Sequence, residues 1–297
     1  MTASQPVLLL RAPSDPSDPY ATTLRAAQFE PVSIPVLETV LVSGDTLARR
    51  IAEGPKGMRA VIITSARAAE AWGEAVGRLC EGDVQSADWT KIPFYTVGPA
   101  TATVLSELSS SHSPSLLHLF PIDIRGAQTG NASALAKFIV QEQGDPSNDP
   151  HTHVFYLIGD KNRDTLPRIL HDGGLRVDEL QVYATRGARS FPDDLEKALQ
   201  KHAEVTPERR APWWIVFFAP SAAAYVLPYL QAHFCLRPPQ LIDAQGETRR
   251  NARVAAIGPT TADFIRSEMS INVDVVAETP NAEGLVRALA GYTLPVV

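Results

Sequence analysis

Short unbroken apolar runs recur along the chain, each followed by a stretch with helical period. Val7-Leu8-Leu9-Leu10 and Val61-Ile62-Ile63 are the clearest. Runs without a polar alternate suit strands covered on both faces, as in a parallel sheet. Alternation of such strands with helices predicts α/β units. The pattern also repeats. Ala60 to Ala69 reads as an apolar run, a small hydroxyl residue and a helix-forming stretch, and Ile215 to Ala224 reads the same way. The serines, Ser65 and Ser221, are 156 positions apart and are read as N-caps. Tyr95 to Ala102 is matched by Ala256 to Ala262, with Gly98 and Gly258 160 positions apart. Pro99 and Pro259 follow those glycines, which suits the first turn of a helix. Two weaker pairs extend the match. Leu117 to Phe120 followed by Asn131 to Ile139 resembles Val273 to Ala277 followed by Asn281 to Leu289. Val7 to Leu10 with the following helix and strand resembles Val154 to Ile158 with Asp164 to Leu170 and Glu179 to Thr185. Kept order and spacing mark an internal duplication. The predicted fold class is α/β: two doubly wound parallel-sheet domains related by that duplication. Gly144 to Pro150, Glu204 to Pro212 and Cys235 to Arg253 are expected loops.

Composition narrows the function more than the fold. With 297 residues, 44% of them hydrophobic and 20% charged, the chain can bury two cores. No apolar run approaches the roughly 20 residues that cross a bilayer, so no membrane partner is expected. Met1 to Pro6 has neither a basic nor an apolar leader region, and Asp15 and Asp18 count against a transit segment, so the cytosol is the expected compartment. A net charge of −6 argues against nucleic acid, which calls for a basic stripe. Cys80 and Cys235 form no Cys-x-x-Cys pair and are read as reduced structural or surface thiols. The chain has no glycine-rich phosphate loop and no nucleophile elbow. Its seven histidines are scattered; His151 and His153 flank Thr152 in a loop with no acidic or thiol partner nearby, so no metal site is expected.

What stands out instead is a set of strand-to-helix junctions rich in small residues. They are Thr64-Ser65, Gly98-Pro99-Ala100-Thr101, Gly159-Asp160-Lys161, Ala219-Pro220-Ser221 and Gly258-Pro259-Thr260-Thr261. In open α/β sheets, ligands bind beyond the carboxyl ends of the strands. Helix N-termini there present free N–H groups and partial positive charge to carboxylates or phosphates. Taken singly, each junction is better explained by a cap or a tight turn; five of one kind, spread over both halves, favour an anion site. Arg11, Arg67, Arg125, Lys161, Arg163 and Arg186 lie near these junctions and read either as a positive lining or as solvated surface charge.

These segments resemble the uroporphyrinogen-III synthase family. The likeness is carried by Ile63 to Ala68, Tyr95 to Ala102, Phe218 to Ser221 and Ala255 to Ala262. Val7 to Arg11, Ile34 to Leu37, Val182 to Thr185 and Ala277 to Asn281 complete the order, so the resemblance covers nearly the whole chain. It implies two domains with the active site in the cleft between them. Domain one would comprise 1–36 and 188–297, domain two 42–182, with 37–41 and 183–187 as a two-stranded connector; the duplication alone suggests a simple cut near residue 150. The implied substrate is hydroxymethylbilane, a linear tetrapyrrole with eight carboxylates, closed with loss of water and inversion of the last pyrrole. The resemblance implies a cofactor-free, monomeric lyase with no metal. It assigns Tyr183 to help the hydroxyl leave, against the alternative of a buried core tyrosine. It sets Ser65, Thr101, Ser221, Thr260 and Thr261 on substrate-binding positions; Arg11, Thr64, Gly159 and Lys161 complete the expected binding set. A non-catalytic two-lobed tetrapyrrole-binding protein or sensor is the alternative. A sugar-phosphate or nucleotide enzyme lacks its acidic residue and glycine-rich loop here.

Overall fold

The computed structural model describes residues 4–14, 17–79, 84, 87–144, 153–205, 212–236 and 250–293. In chain order the first elements are β1 (Gln5–Leu10), α1 (Pro19–Ala26), β2 (Phe29–Ser33), β3 (Leu37–Leu41), α2 (Gly44–Glu53), β4 (Met58–Ile63) and α3 (Ala66–Gly77). There follow β5 (Phe94–Thr96), α4 (Pro99–Leu108), β6 (Ile124–Arg125), α5 (Ala132–Gln143), β7 (His153–Gly159), α6 (Thr165–Asp172) and β8 (Arg176–Gly187). The last are α7 (Phe191–Val205), β9 (Trp213–Phe217), α8 (Pro220–His233), β10 (Phe234–Cys235), β11 (Arg250–Ala256), α9 (Pro259–Met269), β12 (Val275–Val276) and α10 (Ala282–Ala290). The chain divides into two compact units, Met1–Glu38 with Arg186–Val297 and Thr39–Thr185.

The first unit holds a sheet in the order β10-β11-β9-β1-β2, with β12 on the upper half of β11. The second holds β3-β8-β7-β4-β5-β6. Pairings of β1 with β2 and β9, of β11 with β9, and of β4 with β5 and β7 are parallel. The unbroken apolar runs are explained by burial on both faces. In β1, Leu8 and Leu10 enter one core and Val7 and Leu9 another. In β4, Val61 and Ile63 face one core while Ala60 and Ile62 face the other. Each such buried aliphatic side chain contributes about 1.5–3 kcal/mol relative to exposure.

The duplication maps onto the sheets with an exchange. β1 and β2 correspond in the repeat to β7 and β8, and β4 and β5 to β9 and β11. Yet β1 pairs with β9, and β7 pairs with β4. Each sheet therefore takes its first two strands from one repeat and the rest from the other.

Two local expectations are corrected. Leu117 to Phe120 is no strand: Pro114–Leu119 is a 3₁₀ segment, and the strand of that region is β6. Pro114 opens the segment with its fixed φ, and the 3₁₀ period stacks Leu116 and Leu119 on one side. Both bury in the core that holds Trp72 and Trp89. The expected loop from Cys235 to Arg253 has strand at both ends, because β10 and the start of β11 pair with each other. Its residues 237–249 lie outside the described residues, as do Cys80, His151, 145–150 and 206–211 of the other expected loops.

Candidate active site

β3 runs antiparallel to β8, with Val42 bonded to Val182 and Ala188 to Val36. The strands that lead into the strand-to-helix junctions, β1, β9 and β11 in one sheet and β4, β5, β7 and β8 in the other, are parallel, so their junctions collect on one edge of each sheet. In the second unit this edge carries Thr64, Ser65, Thr101, Gly159, Lys161 and Tyr183. In the first it carries Arg11, Ser221, Thr260 and Thr261.

The Gly-Pro junctions are built alike in both units. Gly98 and Gly258 are extended N-caps with proline at the next position. Thr101 and Thr261 then occupy the third helical position and are buried, at 8% and 4% exposure. Thr260 and its counterpart Ala100 are exposed. The serine junctions are not alike. Ser65 caps α3, its hydroxyl accepting from the Ala68 N–H at 3.2 Å. Ser221 does not cap α8. Ala219 is the cap and Pro220 the first helical residue, so Ser221 falls one position further in, exposed. The spacing of 156 thus aligned two serines at different positions of their helices; the structural counterpart of Ser65 is Ala219.

Tyr183 lies half-buried near the end of β8, its ring over Gly159. A Cβ at Gly159 would sit 2.4 Å from that ring, so only glycine leaves room for it. A β-bulge between Ile158 and Gly159 marks the spot, and the Asp160 N–H donates to the Tyr183 carbonyl at 3.2 Å. Asp160 in turn accepts from the Thr185 N–H at 3.1 Å. The strand and the loop after β7 are thereby pinned together. Among the described residues the Tyr183 phenol has no hydrogen-bond partner.

Beside it lies a residue that the sequence did not single out. Tyr156, in the middle of β7 and 3% exposed, donates its phenol proton to Asn162 Oδ1 at 3.1 Å. Thr64 Oγ1 is 3.3 Å from the same phenol oxygen. Burial pushes the Tyr156 phenol up; the Thr64 hydrogen bond opposes this, while Glu179 and Tyr183 add to it. The available signal was a polar-tipped aromatic inside an otherwise apolar run.

The basic residues are mostly already matched. Arg11 bonds Asp18 at 2.5 Å and lies over the rings of Tyr20 and Phe218 at 4.8 and 5.5 Å. Burial pushes the Asp18 carboxyl up, but the Ser14 and Ala21 N–H groups and the Arg11 guanidinium outweigh it and hold the carboxyl below its ordinary value. Arg67 pairs with Glu70, Arg125 with Asp123 and Glu142, and Arg186 with Glu38. Lys161 and Arg163 are exposed and make no ion pair among the described residues. The positive lining expected from six cations is therefore reduced to these two and the backbone amides. A separate cavity of about 520 Å³, lined by Lys56, Arg59, Asp88 and Lys91, lies at the amino end of β4. In such sheets that is the edge away from the ligand.

A family model described as "Uroporphyrinogen-III synthase HemD" matches residues 18–287. The chain is 27% identical over 290 residues to the uroporphyrinogen-III synthase of Saccharomyces cerevisiae, covering 96% of each chain. It is also 27% identical over 285 residues to that of Schizosaccharomyces pombe, again covering 96% of each. Among solved structures, uroporphyrinogen-III synthetase from Helicobacter pylori aligns over 97% of this chain and 98% of that one, at 18% identity and a TM-score of 0.43. A mutant synthase from Thermus thermophilus aligns over 97% of both chains at 21% identity and a TM-score of 0.38. With the model matching from α1 through α10, the chain belongs to the uroporphyrinogen-III synthase family.

Proposed function

We propose that the chain catalyses the closure of hydroxymethylbilane to uroporphyrinogen III, with loss of water and inversion of the last pyrrole. The family match over residues 18–287 carries this reading. The two yeast relatives, alike over nearly their whole length, bear the name of the same activity.

The reaction needs little from side chains. A pyrrole expels the terminal hydroxyl with its own electrons, giving an electrophilic azafulvene. The substituted carbon of the last ring attacks it, and the spiro intermediate fragments and recloses with that ring turned around. The ring carbon finally loses its proton and aromaticity returns. No cofactor is required, because the substrate supplies nucleophile and electron push; a cytosolic monomer suffices.

In this reading Tyr183 donates its proton to the leaving hydroxyl, which departs as water, and the phenolate later recovers the proton. The unpartnered phenol and its glycine seat support that role. Ser65, Thr101, Ser221, Thr260 and Thr261, with Arg11, Thr64, Gly159 and Lys161, bind the substrate. Helix N-termini with exposed small residues favour its carboxylates, and the rate comes from positioning and electrostatics.

The test is a product assay with enzymatically made hydroxymethylbilane. Type III uroporphyrinogen is expected. Only the type I isomer, the spontaneous product, would leave a binding protein without turnover.

A further inference from the structure

The wiring around Tyr156 restricts what Thr64 can do. A phenol has one hydrogen, and that of Tyr156 goes to Asn162 Oδ1 at 3.1 Å. The 3.3 Å contact between Thr64 and the same phenol must therefore run the other way, with Thr64 donating. A threonine hydroxyl also has one hydrogen, and two lone pairs. With its hydrogen committed inward, Thr64 is left as an acceptor. It is half-buried at the carboxyl end of β4, beside the cap Ser65, and so retains an open side.

We propose that Thr64 receives a pyrrole N–H of the tetrapyrrole and binds none of its carboxylates, and that Tyr156 and Asn162 are positioning residues that hold it in that state. This rests on the proposed function. A carboxylate offers no hydrogen at neutral pH, so an acceptor facing it would be repelled. A linear tetrapyrrole otherwise offers mainly its pyrrole N–H groups as donors. The arrangement is particular to the second unit. Each three residues before its helix cap, Ile62 and Val216 are equivalent, and they pair with Tyr156 and Leu9 respectively. The counterpart of Tyr156 is thus a leucine, and that of Thr64 is Phe218. The other sheet cannot form this wire.

Two ligands with the same eight carboxylates separate the alternatives. In uroporphyrinogen III the saturated bridges let pyrrole N–H groups turn out of the ring. In uroporphyrin III the macrocycle is flat and its remaining N–H groups point inward. Dissociation constants for both would be measured anaerobically by titration calorimetry on the full chain. Wild type should prefer the porphyrinogen. Thr64→Val should weaken porphyrinogen binding about fivefold, the size of one neutral hydrogen bond, and leave porphyrin binding unchanged. Thr64→Ser should restore it. Equal losses for both ligands would make Thr64 a carboxylate donor and overturn the proposal, as would no loss for either. Tyr156→Phe and Asn162→Ala should each lower the preference for the porphyrinogen, and Asn162→Asp should keep it. Asn162 is exposed, so its variants stay folded even where loss of the buried phenol lowers the melting temperature. A preference unchanged in both Tyr156→Phe and Asn162→Ala would remove the positioning role. Wild type that binds neither ligand would bring down the functional reading, and this proposal with it.

Discussion

The two units use the same spots for different chemistry. Where the second unit sets Thr64 against Tyr156 and Asn162, the first sets Phe218 and Leu9, with Arg11 stacked over Phe218 and tied to Asp18. One edge keeps neutral hydroxyls in a directed chain; the other is apolar, with a cation whose charge is already met. A tyrosine seated on a glycine occurs in both units. Tyr183 lies on Gly159, and Tyr225 on Gly187, where a Cβ would come within 2.0 Å of the ring. Tyr225 donates its hydroxyl to the Ala188 carbonyl at 2.8 Å, whereas Tyr183 has no partner among the described residues. The two seats are not equivalents of the repeat, since Tyr183 lies on β8 and Tyr225 on α8, but they offer two similar frames. In the first unit's seat the hydroxyl is used in holding the structure, and in the second unit's it has no partner among the described residues. Substitutions in the second unit should accordingly change kinetics, and matched ones in the first should change stability.

The largest separation is expected at the tyrosines. Tyr183→Phe keeps the ring on its glycine and removes only the proton donor. Turnover should fall roughly 10²–10⁴-fold, the usual worth of a general acid, with little change in melting temperature. Steady-state rates beside a melting curve decide it; wild-type turnover would return Tyr183 to the core.

On the first unit, Asp18→Ala should cost about 3 kcal/mol, because it breaks a mostly buried pair and removes the cap of α1. Urea denaturation measures this. Asp18→Asn adds a pH signature. A carboxyl held below its ordinary value stabilises the fold fully above its unfolded pKa, and the benefit is lost as pH falls through the folded one. Wild type should exceed Asp18→Asn at neutral pH, and the gap should close as pH falls below the ordinary carboxyl value of 3.8 and through the lower folded one. A gap independent of pH would mean that the charge is immaterial.

Gly159→Ala comes next. The added methyl must push the Tyr183 ring aside, so turnover should drop about tenfold, with a stability loss of about 1–3 kcal/mol from overpacking. Adding Tyr183→Phe to this variant should then cost less than it does alone, as for two changes acting on one ring. The smallest effect belongs to Tyr225→Phe: about 1 kcal/mol of stability for one hydrogen bond, and unchanged turnover. A kinetic defect there would break the division between the units.

The strands were legible because burial on both faces leaves an unbroken apolar run, as in β1 and β4. The Gly-Pro caps of α4 and α9 were legible because both residues have local backbone reasons to be there. Which strand sits beside which was not written locally. The repeat shows that β1 and β7 are equivalent, but nothing in either run says that β1 pairs with β9. The same limit hid the wire in the second unit. Tyr156 reads as one more aromatic in a strand, and its partners lie 92 residues before it and 6 after it. Ser221 misled for the opposite reason: a serine after an apolar run suggests a cap, while Pro220 before it had already begun the helix.

The exchange of strands also orders the birth of the protein. Residues 39–185 are contiguous and hold all of their sheet except the start of β3 and the end of β8, so this unit is nearly complete while the chain is still being made. β1 is different. It can meet β2 early, but its other neighbour, β9, emerges some two hundred residues later. At a synthesis rate of about 5–20 residues per second, a mostly apolar strand waits ten seconds or more with one edge and the face of Leu8 and Leu10 uncovered, α1 being the one early partner of the other face. The nascent chain at that stage is a nearly finished globule preceded by a sticky N-terminal β-α-β unit, and it is this interval, more than the stability of the final fold, that chaperones would have to guard.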